Sequence, residues 1–279
     1  MPRTTRPPSE ERGFALLIVL WSLALLALIG TAVTAAGRGD ALVAANLRGH
    51  AVAEAAADGA VFTAIFHLID RSAARWTADG RARPLRLPDA AVQVTLWDEH
   101  AKVPFNYAPV TVLAALLVQL GVDAPTAAAL AARIAAWRGQ AQDGLPTAAP
   151  APYLAAGRGW GPPGRPFRDL SELSLVLGMQ EALLARLVPH ITLFTSRVPA
   201  PAAADPVVAR ALARLAEGGV KLLGFDEPPV VTVVATAVAV GGARFTRIAT
   251  ARISASAAHP FELLDWREDD PSDRFANAR

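Results

Sequence analysis

Residues 13–37 carry no charge, between Arg12 on one side and Arg38 on the other. A bilayer core takes about 20 consecutive apolar residues in helical form. A helix apolar on every side for this length has no place in an ordinary small soluble domain, where one face must meet water. The segment therefore reads as a membrane-inserted helix. Arg3, Arg6 and Arg12 precede it, which suits a cytoplasmic N-terminus and an exported C-terminal part. Two other readings compete. A secretory signal would be cut near Val33-Thr34-Ala35, but its apolar core is usually only about 7–15 residues long. An uncleaved signal anchor needs no processing site at all.

Composition removes several function classes. The chain has 279 residues and a net charge of +2, with no basic field of the kind that draws nucleic acid. Cysteine is absent, which excludes disulfide frameworks, cysteine-ligated zinc and a thiol nucleophile. His50, His67, His100, His190 and His259 are scattered, none at metal-ligand spacing from another. There is no Walker-type phosphate loop and no Gly-x-Ser-x-Gly elbow. Asp98-Glu99 are adjacent on a strand end, so they point to opposite faces rather than forming a carboxylate pair. They read as turn residues. No catalytic residue, metal ligand or cofactor is expected.

Asp40 to Arg71 contains no proline. Val61, Ile65 and Ile69 recur at i+4, as do Phe62 and Phe66, with Glu54 and Asp58 left to the other face. One helix from about Phe14 to about Arg71 is predicted, with Gly37, Gly39, Gly49 and Gly59 as places where it would bend. Val92, Val94 and Leu96 alternate with polar residues as a strand does, and the strand runs into the polar turn 98–102. A helical hairpin follows. Pro109 starts its first helix and Gly121 stops it; Asp123 caps the second, which ends near Trp137 and Arg138. Residues 139–168 read as a long loop tacked down by Tyr153 and Trp160. Asp169-Leu170-Ser171-Glu172 opens a third helix ended by Gly178, and a short fourth reaches about Leu187. Ile191 to Thr195 reads as a strand, and Asp205 to Gly218 as a helix. Val230–Val240, a turn at Gly241-Gly242 and Ala243–Ser256 form a β-hairpin. Phe261 to Trp266 adds an edge strand, and a disordered tail begins at Arg267.

Several segments resemble one family. A hydrophilic, Arg-bearing leader ending Glu11-Arg12-Gly13 before Phe14 resembles the class III signal of type IV pilins and pseudopilins. That signal is cut after Gly by a prepilin peptidase, which then methylates the new N-terminus. Gly13-Phe14-Ala15-Leu16-Leu17-Ile18-Val19-Leu20-Trp21, the run Asp98-Glu99-His100-Ala101-Lys102 with Asn106, and Phe167 to Pro189 are similar to segments of the K-type minor pseudopilins of type II secretion (the GspK family). The resemblance spans roughly residues 12–266. It implies an α+β fold: a pilin-like N-terminal helix on a small antiparallel sheet, with a large inserted all-helical domain of SAM-like or helix-hairpin-helix-like form. The implied organisation is a cleaved leader 1–13, a transmembrane segment 14–37, the rest of the helix with the first strands at 38–98, the insertion at 99–190, a helix and β-hairpin at 191–266, and the tail 267–279.

The resemblance also implies a role. The subunit would sit at the tip of the pseudopilus with I-type and J-type minor pseudopilins, anchored in the inner membrane with its C-terminal domain in the periplasm. Leu16, Leu17, Leu20 and Leu23 would pack on partner helices. Val61, Phe62, Ile65, Phe66 and Ile69 would seat the globular domain on its own helix. The fifth residue after the cut is Ile18, where most pilins place a Glu that pairs with a neighbour's terminal amine. A buried carboxylate without such a partner is costly, so its loss marks a subunit with none above it. Ala101 and Pro104 depart from the family pattern. Some members bind calcium in the loop after Trp137, but residues 138–168 hold only Asp143 before Asp169, too few acids for a calcium site. The hairpin 106–138 also resembles helix-hairpin-helix DNA-binding modules, yet Asp123 in its turn would repel phosphate.

Overall fold

The computed structural model describes residues 11–139, 150–217, 227–254, 256 and 258–269, with the side chains of 11–13 and 33–39 excepted. The residues before Glu11, the middle of the expected loop with Asp143, the helix stop at Gly218-Gly219 and the tail from Asp270 lie outside that set.

A single helix, α1 (Glu11–Ile69), runs unbroken through all four glycines at which a bend was expected. Behind it stands a five-stranded antiparallel sheet of β1 (Asp79–Arg86), β2 (Ala90–Asp98), β5 (Val230–Ala239), β6 (Arg244–Ile253) and β7 (Phe261–Glu268), in the order β1-β2-β5-β6-β7. α1 packs on β2, β5 and β6. Strand alternation sorts the sheet: Val92, Val94, Leu96, Val233, Ala235 and Ala237 face the helix and are buried. Strand β1 was not foreseen, and β7 continues through Arg267 and Glu268, where the tail was expected to start. The β5–β6 turn is a four-residue loop, closed by Ala239 N–H to Ala243 O at 2.9 Å, with Gly241 and Gly242 both at positive φ.

The chain leaves this layer at β3 (Val103–Pro104) and returns at β4 (Ile191–Thr192), which pair side by side in parallel. Between them lies a helical domain. It holds α2 (Val110–Gln119), α3 (Ala124–Trp137), the short α4 (Ala151–Ala155), a 3-10 stretch Leu170–Leu175 where an α-helix was expected, and α5 (Glu181–Leu187). Pro109 stands just ahead of α2 rather than inside it. At the other end Gly121 takes φ +88°, Gly121 N–H reaches Val118 O and Val122 N–H reaches Leu117 O, closing the helix with a left-handed cap. The Asp123 carboxylate accepts from Thr126 N–H at 3.0 Å and starts α3. That bond is the main reason its acid strength is raised above the ordinary aspartate's.

Two expectations are corrected here. Tyr153 is not a surface tack but a buried core residue whose hydroxyl accepts from Leu177 N–H at 3.2 Å, while Trp160 remains half exposed beside Arg158. Helix α6 (Pro206–Glu217) was placed with the pilin-like layer; instead Val208, Ala211 and Leu212 join the core of the helical domain, and α6 packs on α2.

Candidate assembly surface

The described part of the helix from Phe14 to Ala32 is wholly unburied. At 1.5 Å per residue its 19 residues span about 28 Å, matching the roughly 30 Å hydrocarbon core of a bilayer. Leu16, Leu17, Ile18, Leu20 and Leu23 are all at least half exposed among the described residues. The two hydroxyl side chains described here satisfy themselves. Ser22 Oγ donates to Ile18 O and Thr31 Oγ1 to Leu28 O, each at 2.8 Å, as helices do in apolar surroundings. Gly13 and Phe14 lie within the first turns of α1.

The globular part first touches α1 at Gly49, where an added Cβ would sit 3.2 Å from the Cβ of Ala243. Among the described residues, about 50 Å of helix separates Phe14 from that close approach. Leu42, Val43 and Leu47 are exposed along this stalk. From there the buried stripe is Ala53, Ala57, Ala60, Val61, Ala64, Ile65 and Leu68, and Ile69 packs at its edge.

Phe66 is corrected: it is 68% exposed and seats nothing. Phe62 is intermediate, about half exposed yet 5.6 Å from the Trp266 ring. Each i+4 step advances 400° around the helix, so a row of such steps drifts, and the 62–66 row lies about 100° beyond the 61–65 row. Glu54 and Asp58 are corrected as well, since they turn to the sheet. Arg247, on β6, donates Nε to Asp58 Oδ1 at 2.6 Å and Nη2 to Glu54 Oε1 at 3.1 Å. Its guanidinium also lies over Phe245 and Trp266, 4.7 and 5.0 Å from the ring centres. The planar fork fixes the register of α1 on the sheet.

The segment 98–106 ties the two parts of the molecule together. Asp98 accepts from His100 N–H at 2.9 Å and opens a 3-10 turn. Glu99 is 2% exposed, a burial the sequence did not announce. It is held by Lys102 Nζ at 2.6 Å and by the hydroxyl of Thr232, on β5, at 2.7 Å. Asn106 grips Phe167 by both ends, donating to its carbonyl at 2.9 Å and accepting from its N–H at 2.8 Å. The hairpin's two arginines both donate to backbone carbonyls. Arg133 donates to Leu177 O at 3.1 Å; Arg138 is buried and donates to the carbonyls of Phe105 and Ala108. Burial pushes Arg138 down to about 10. Arg138 is thereby withdrawn from solvent, while Arg133 stays exposed. Among the described residues no three His, Asp or Glu gather where a metal could sit.

A bare apolar stalk, an amphipathic continuation seated on an antiparallel sheet, and a helical domain inserted through adjacent strands give the chain a pilin-like architecture. Residues 95–196 match the family model described as "Type II secretion system (T2SS), protein K". The matched stretch runs from the end of β2 to just past β4, the whole of the insertion. Among solved structures, the chain resembles one from "The Crystal Structure of the GspK-GspI-GspJ complex from enterotoxigenic Escherichia coli Type 2 Secretion System". The likeness covers 84% of this chain and 99% of that one, at 19% identity and a TM-score of 0.54, and is a likeness of fold. A comparison with curated proteins finds no match.

Proposed function

We propose that the chain is the K-type minor pseudopilin at the tip of a type II secretion pseudopilus. It works by assembly rather than catalysis. The observation that carries the reading is the fully unburied helix Phe14–Ala32 on a chain whose residues 95–196 match the protein K family model. In this reading a prepilin peptidase cuts between Gly13 and Phe14 and methylates Phe14. The helix first anchors the subunit in the inner membrane, with the globular part in the periplasm. It then packs, through Leu16, Leu17, Leu20 and Leu23, against the helices of I-type and J-type partners, the company in which the similar solved chain was found.

Mass spectrometry of the N-terminal peptide, with and without the peptidase, tests the class. The expected species begins at Phe14, N-methylated, and only when the peptidase is present. A chain that starts at Met1 or near Ala36 in both conditions overturns the reading. The tip position rests on Ile18. Ile18→Glu is expected to lower partner pulldown and secretion, because the new carboxylate would be buried among apolar helices without an amine. Wild-type pulldown and secretion would remove the tip assignment and leave the pseudopilin class intact.

A further inference from the structure

The sheet has a second face, turned away from α1, that the assembly reading does not use. Strand register places one row straight across four strands of it: Arg86 opposite Ala91, Ala91 opposite Val238, and Val238 opposite Arg244. Two arginines therefore bracket a two-residue apolar strip, about 14 Å apart at three strand spacings. Both are exposed, and neither makes an ion pair among the described residues. The contrast with the rest of the sheet is direct: Arg252 holds Glu262, Arg267 holds Asp265 and Arg247 holds Asp58. Asp89, at the neighbouring β1–β2 tip, pairs with neither. The row forms one end of a groove of about 710 Å³, continued by Pro84, Gln93 and Thr236, with Leu87 and Val240 exposed at its rim.

We propose that this groove is a docking site for an acidic segment of a partner protein, one that carries an apolar residue between two carboxylates. The arginines supply charge complementarity and bidentate geometry at each end, and the strip takes the apolar residue. A lipid surface is the weaker occupant on this geometry. The row sits beside Ala243, level with Gly49, about 25 Å of helix beyond Ala32. The headgroup layer extends only about 5–8 Å past the hydrocarbon core.

The absence of native cysteine makes the test clean. Full-length chain bearing Gln93→Cys, labelled with a maleimide–benzophenone, is irradiated in the membrane of cells that hold the whole assembly, and the adduct is sequenced. The proposal expects one adduct on a peptide of another protein with two acids flanking an apolar residue. Its yield should fall at least about tenfold, the equivalent of 1.4 kcal/mol, in Arg86→Glu/Arg244→Glu. Reversal of the two acids on the captured peptide should restore it. A parallel cross-link from Leu17→Cys should be unchanged, which separates loss of this site from loss of the helical assembly. No adduct, an adduct to lipid, an adduct to any residue of this chain including 270–279, or a yield indifferent to the double reversal would each overturn the proposal.

Discussion

The molecule has two cores built on different economies of size. Between α1 and the sheet the buried residues are mostly alanine and valine: Ala53, Ala57, Ala60 and Ala64 from the helix, Ala235, Ala237, Ala249 and Ala251 from the strands. In the inserted domain they are leucine, isoleucine and aromatic: Leu113, Leu116, Leu117, Leu130, Ile134, Trp137, Phe105 and Phe167. Large side chains interlock, so such a core sets its own register and carries much apolar area per residue. Small ones let a helix lie close to a sheet but slide along it at little cost. The Arg247 fork to Asp58 and Glu54 supplies the missing register. That division suits a subunit whose helix must hold a fixed height relative to its domain.

The comparison is most easily broken in the inserted core. Leu116→Ala should cost about 3–4 kcal/mol, the usual penalty for removing three heavy atoms from a fully buried leucine site. Denaturant unfolding of the detergent-solubilised chain measures it. Hydrogen exchange should show the loss concentrated in α2, α3 and α6, with the amides of β5 and β6 far less affected. Uniform loss across both parts would mean that the two cores unfold as one unit.

Arg247→Ala tests the other core. The side chain is 10% exposed, but its partners Asp58 and Glu54 are 32% and 47% exposed, so solvent screens much of the pairing. About 2 kcal/mol is expected, including the lost stacking on Phe245 and Trp266. Arg247→Lys should recover less than half of it, since an ammonium keeps the charge but not the fork. A spin-label pair at Leu47→Cys and Val240→Cys reads the register. Its distance distribution should broaden in Arg247→Ala and stay narrow in Leu116→Ala.

Overpacking sharpens the contrast next. Ala57→Leu adds three carbons at a site with no exposure, where the helix is close to the sheet, and should cost about 1–3 kcal/mol. A leucine-to-methionine change at Leu117 alters a large-residue site with little change of volume and should cost under about 1.5 kcal/mol. Thermal melts of the two variants, run side by side, decide whether size tolerance differs as the two compositions imply.

Much of this was legible before any coordinates. The stalk declares itself because an uncharged run of that length predicts a helix apolar on every side. Strands β2, β5 and β6 declare themselves by alternation. What was illegible shares a cause: the partner is remote in sequence or the local pattern is weak. Glu99 is buried because Thr232 reaches it from β5, and Arg247 meets Asp58 across nearly the whole chain. Strand β1 reads Asp-Gly-Arg-Ala-Arg-Pro-Leu-Arg, which has no apolar alternation because it is an exposed edge, where charge and proline guard against stray pairing. Tyr153 stood among Gly, Pro and Ala that look like loop, and only the third dimension brings it beside Trp137. Helix α6 carries an amphipathic pattern that says it packs, but not on which of two cores.

The smallest expected effect is the most discriminating for the helix. Phe66 and Ile65 are neighbours with opposite exposure, 68% and 1%. Ile65→Ala removes a fully buried side chain and should cost about 2–4 kcal/mol of unfolding free energy. Phe66→Ala should stay within about 0.5 kcal/mol, as exposed substitutions do. The large aromatic ring on the water side of α1 then has no work to do within the subunit. If it contributes at all, it does so in contact with another chain. Stability and partner pulldown measured on the same two variants separate these roles. Unchanged stability with weakened pulldown in Phe66→Ala would place it on the assembly surface. A stability loss approaching that of Ile65→Ala would mean the helix is rotated on the sheet by about one residue, about 100°, from the orientation that Arg247 holds.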